Sequence, residues 1–61
     1  MTIAEQFVSA FNASNTAEAI RLCIHNFMYR DTGVSDDYEV FYFSDDSKCG
    51  WKEIGEVWII A

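Results

Sequence analysis

Over residues 1–30 the apolar positions recur at helical intervals, and from about residue 38 they follow a strand pattern. Ile3, Phe7, Ala10 and Phe11 share one face of a helix running from Thr2 to about Asn12, with Ala4 and Val8 beside them. Glu5 lies three residues after Thr2, the spacing of a capping box. Asn12-Ala13-Ser14-Asn15 then interrupts the period with turn and cap residues. A second helix is predicted from Asn15 or Thr16 to about Arg30, with Glu18 well placed near its start. Arg30 suits the negative helix end, and Gly33 suits a left-handed cap just beyond it. Its apolar stripe is read as Ala17, Ile20, Ile24, Phe27 and Met28, with Cys23 at the edge. Leu22 and Tyr29, near His25, point roughly the other way.

After Gly33 the residue types change. Tyr38–Phe43, "YEVFYF", is aromatic and β-branched and predicts a strand. One face would carry Tyr38, Val40 and Tyr42, the other Glu39, Phe41 and Phe43. Ser44–Gly50, "SDDSKCG", reads as a loop. Trp51–Ile60 reads as one long second strand bent or bulged at Gly55, in preference to two short strands joined there. Val57 and Ile59 would share one face, Trp58 and Ile60 the other. The expected fold is α+β: two N-terminal helices on one face of a C-terminal antiparallel β-hairpin, ααββ, in a single domain spanning residues 1–61. Both strands are apolar on both sides, and one helical pair covers one side. The second face is therefore expected to lack cover within the chain.

Size sharpens that expectation. A chain of 61 residues buries only about 60% of the surface its unfolded form exposes. Such a core rarely supplies more than about 3–5 kcal/mol without staples or partners. Hydrophobic residues are 51% of the chain and aromatics 16%, too many for a disordered tail. The start "MTIAEQ" has no secretory pattern, no apolar run approaches a membrane span, and two cysteines make no disulfide framework. The chain is accordingly read as a complete, reduced, cytoplasmic protein.

Charge narrows the partner classes. Glu5 and Glu18 cancel Arg21 and Arg30 in the first half, so the net charge of −6 arises entirely in residues 31–61. Direct nucleic-acid binding and attraction to anionic membranes both require the opposite sign. A protein partner with a basic surface fits.

Candidate chemistry is sparse. Cys23 and His25 are two apart on a helix and diverge by about 200°. Nearby carboxylates would raise, not lower, the pKa of Cys49 in its acidic loop. Ser44-Asp45-Asp46-Ser47 lacks the alternating acids, glycine and final glutamate of a calcium loop. Glu53 and Glu56 face opposite sides of a strand. No phosphate loop, serine elbow, metal set or cofactor motif occurs, and no enzyme activity is expected.

The expected function is a small acidic protein-binding module that inhibits or regulates a larger basic partner, itself a homodimer. Tyr38, Tyr42 and Trp58 would be the aromatic anchors, and Asp36, Asp37, Asp45, Asp46 and Glu56 the steering rim. By analogy with small acidic inhibitors of phages and mobile elements, a nucleic-acid mimic is one form of this reading. The alternative is an assembly subunit whose hairpin mediates homo-oligomerisation.

Overall fold

The computed structural model describes residues 1–61. Two helices, α1 (Ile3–Asn12) and α2 (Thr16–Asn26), precede four strands: β1 (Phe27–Asp31), β2 (Glu39–Phe43), β3 (Lys48–Lys52) and β4 (Glu56–Ile60). The strands form one antiparallel meander in the order β1-β2-β3-β4. The fold is α+β with the helices first, but in place of the expected two-stranded hairpin there is a four-stranded sheet.

The start of α1 is fully capped. The first four N–H groups of a helix have no partner within it. Here Thr2 N–H donates to Glu5 Oε1 at 2.8 Å and Glu5 N–H to Thr2 Oγ1 at 3.1 Å, completing the capping box. The two between them are satisfied from the far end of the chain. Ile3 N–H donates to Asp45 Oδ2 and Ala4 N–H to Ser47 Oγ, both at 2.9 Å. The turn after β2 thus fastens the sheet to the start of α1. The end of α1 closes with Asn15 N–H on the Ala10 carbonyl, Ser14 N–H on that of Phe11, and Ser14 in the left-handed region (φ 58°).

Helix α2 departs from expectation in two respects. It stops at Asn26 rather than Arg30, and Phe27–Asp31 continues as a strand. Phe27, Tyr29 and Arg30 pair with Phe43, Tyr42 and Phe41, with Met28 as an extra residue in a bulge. Phe27 packs edge-on against Phe41 and Phe43 at 5.4 and 6.2 Å between ring centres. A helix continuing to Arg30 would forgo both this packing and the hydrogen-bonded edge of β2. Gly33, expected to cap that longer helix, lies in the loop after β1. The buried side of α2 is also inverted. Ala19 and Leu22 are buried, whereas Ile20 and Ile24 are 52% and 73% exposed. Residues 19, 22, 23 and 26 form a second helical line, and α1 selects that one because it lines the core.

Residues 51–60 form two strands rather than one bent arm. Lys52 pairs with Glu56 around the three-residue turn Glu53-Ile54-Gly55, closed by Gly55 N–H on the Lys52 carbonyl. Gly55 takes φ 88°, the left-handed position that ends such a turn. Ser44-Asp45-Asp46 repeats the design between β2 and β3, with Asp46 at φ 67°. Only Ser44–Asp46 of the expected loop is turn; Lys48, Cys49 and Gly50 belong to β3.

Helix α1 lies across β4, β3 and β2, while α2 packs on α1 and meets the sheet chiefly where it runs into β1. The core joins Ala4, Phe7, Ala10, Ala19 and Leu22 of the helices to Phe43, Cys49 and Val57 of the sheet. Leu22→Ala should therefore cost about 2–5 kcal/mol, leaving the domain near unfolding, whereas Ile24→Ala should change stability by less than about 0.5 kcal/mol. Urea denaturation of the two variants checks the helix face directly.

Candidate functional site

The sheet face away from the helices holds every aromatic anchor expected from the sequence. Register places Val40, Gly50 and Trp58 in one row across β2, β3 and β4. Tyr29, Tyr42, Lys48 and Ile60 make the next row. A Cβ on Gly50 would lie 2.3 Å from Trp58 Cε2 and Cζ2, so the indole occupies the space a side chain there would take. Tyr38 meets the Trp58 ring edge-on at 5.3 Å, and Lys52 Nζ sits 5.9 Å from its centre. Val40 is only 3% exposed, yet it lies outside the helix-side core. The second face therefore has a cover after all, built from its own large side chains over a glycine. Tyr29 and Tyr42 stack at 4.4 Å beside it, and Lys48 Nζ lies 5.9 Å from the Tyr42 ring. Burial and the neighbouring Tyr42 push the Tyr29 hydroxyl above its ordinary pKa.

The expected acidic rim divides between the two ends of the sheet. Asp36 and Asp37, in the loop from β1 to β2, share an end with Glu53 and with Glu56 at the start of β4. Together with Tyr38 and Lys52, Asp36, Asp37 and Glu53 line an open recess of about 330 Å³. Ile54, at the tip of the adjoining turn, is 81% exposed, and Val34 is also exposed. Asp45 and Asp46 lie at the opposite end. Both oxygens of Asp45 are engaged there: Oδ2 accepts from Ile3, and Oδ1 accepts from the Ser47 backbone at 3.0 Å and from its hydroxyl. These donors, the Ser47 hydroxyl foremost, hold the Asp45 carboxyl below its ordinary pKa. Asp45 is thus a structural cap, while Asp46 is placed by the left-handed turn.

The chemical groups are quiet. Cys49 is fully buried in β3, and desolvation, with a smaller contribution from Cys23, pushes its thiol up to about 12. The direction matches the sequence reading; burial, not the acidic turn, is the cause. Cys23 is raised by burial as well, and both cysteines are free. His25 is exposed on α2. No cluster of three or more His, Cys, Asp and Glu side chains is placed to hold a metal ion. No helix is long and apolar enough to cross a membrane. Glu39 faces the helix side, 3.3 Å from Arg30 Nε, and ties β1 to β2.

Five large exposed residues were missed as surface candidates: Ile54, treated as part of a strand, and Ile20, Ile24, Phe27 and Met28, placed on the apolar stripe of the second helix. The chain matches no protein-family model, no curated protein and no solved structure.

Two outcomes follow from this geometry. Gly50→Ala should displace the indole, lower stability by about 1–3 kcal/mol, and move the indole N–H resonance of Trp58 while leaving that of Trp51 in place. For Asp45 the carboxylate form is favoured by folding. Its contribution is present above the carboxyl pKa of the unfolded chain and is lost as pH falls through the lower folded value. Asp45→Asn should lower the melting temperature at neutral pH and flatten its decline below about pH 4, as thermal melts across that range would record.

Proposed function

We propose that this is a non-catalytic protein-binding module that docks its acidic loop end on a basic surface of a larger partner and so inhibits or regulates it. One observation carries the reading: an isoleucine exposed at a hairpin tip, Ile54, lies at the same end of the sheet as the carboxylates of Asp36, Asp37, Glu53 and Glu56. Apolar contact at a centre supplies binding energy, and a charged rim supplies steering and selects against acidic partners. Tyr38 and Trp58, half-buried beside the recess, extend the contact on the aromatic face, and Tyr42 lies further along it. Asp45 and Asp46, at the other end, fall outside this surface. The assignment is to the cytoplasm, where two free cysteines stay reduced. Nucleic-acid mimicry is a narrower form of the same proposal, in which the carboxylates of the loop end stand in for phosphates. The separate reading, an assembly subunit, draws support from a different surface, the exposed isoleucines of α2.

Capture from an extract of the source cell tests the docking end. Binding should fall steeply between about 0.05 M and 0.5 M salt, over which screening shortens to a few ångströms. Asp36→Lys/Asp37→Lys and, independently, Ile54→Asp should each weaken it at least about tenfold. Equal capture by wild type and both variants at both salts would contradict the proposal.

A further inference from the structure

Outside the acidic end, a run of exposed apolar residues extends along α2 into β1. Ile20 and Ile24 are one helical turn apart on the same line. Phe27 and Met28 follow directly, each more than a third exposed. Beside Ile20 a groove of about 440 Å³ opens between the helices, lined mainly by Phe7, Phe11, Ala19 and Cys23. We infer that this side of the molecule binds a second copy of the same chain, α2 against α2 about a two-fold axis.

Ridge and groove lie side by side on one surface, so the surface is shaped to receive its own copy. In an isologous contact the same patch serves both partners, and an isoleucine ridge next to an apolar groove meets that condition. Charge points to the same occupant. Two molecules of net charge −6 repel wherever their acids meet. Here the arginines are already paired within each chain, Arg21 with Glu18 and Arg30 with Glu39. A basic partner would find no steering on this side, and an acidic one would find no free arginine. Apposition of two copies through α2 keeps the acids of the two loop ends apart.

The dimer contact would have to take in most of this side. A stable interface takes about 800 Å² from each partner. That is about a fifth of the 3994 Å² surface, roughly one face of a body measuring 28 × 24 × 19 Å. The bulge at Met28 interrupts the free edge of β1, so the contact is one of side-chain packing rather than strand addition. This dimer leaves the acidic loop end unoccupied, and it stands or falls independently of the docking proposal above.

Sedimentation of the wild-type chain, with a dilution series followed by amide NMR, provides the test. The expected result is a species of twice the 7.0 kDa chain mass, with concentration-dependent shifts confined to α2, Phe27 and Met28. Ile24→Glu should raise the dissociation constant at least about tenfold without changing the far-ultraviolet spectrum. If that variant fails to fold, the wild-type shifts decide alone. A wild type that stays monomeric at about 1 mM would overturn the inference. A dimer whose shifts fall on Tyr38, Ile54 and Trp58, or one that persists in folded Ile24→Glu, would overturn it equally.

Discussion

The indole of Trp58 lies where a side chain of Gly50 would be, and much of the surface of this protein follows from that contact. A four-stranded sheet with helices on one side has a second face to cover. This chain covers it with its own large side chains: Trp58 in the same row as Val40, Tyr38 against the indole, and the stacked Tyr29–Tyr42 pair alongside. Gly50 makes the close approach possible, and Lys48 and Lys52 complete the layer with their ammonium groups over the Tyr42 and Trp58 rings. The aromatic face becomes a second, thin layer instead of an open hydrophobic sheet.

That layer changes where unsatisfied apolar surface remains. The helix side closes around Phe7, Leu22, Phe43 and Cys49, because α1 crosses the inner strands and its start is tied to the turn after β2. Helix α2 leans on α1 and turns Ile20 and Ile24 outward. Besides Met1 and Ile59, exposed apolar groups remain at the tip at Ile54, on the acidic end, and along the α2–β1 side, where the arginines are paired. The two differ in electrostatic character, and the partners proposed for them differ accordingly.

Much of this was legible in the sequence. The capping box at Thr2 and Glu5, the break at Ser14 and the two-sided division of residues 38–43 all stand in the structure as local spacing implies. Alternation alone puts Tyr38 and Tyr42 on one face, whereas the register through β3 is what brings Trp58 onto it. What failed depended on long-range choices. Phe27-Met28-Tyr29 has no decisive preference between helix and strand, and pairing with β2 settles it. Helix α2 carries two apolar lines, and only docking on α1 shows which one is inside. The three-residue turns at Asp46 and Gly55 lack the two-residue signal sought in a hairpin. Asp45 resembled any other surface acid because its partner, the amide of Ile3, is 42 residues away in sequence.

The most direct measurement of the account is the proton NMR spectrum of Gly50. With the indole of Trp58 packed against its backbone, the Gly50 α-protons should be shifted strongly upfield by ring current and should show cross-relaxation to the Trp58 ring protons. Gly50 α-protons at random-coil positions, with no contact to Trp58, would mean that the second face lacks its cover and that the division of surfaces described above is wrong.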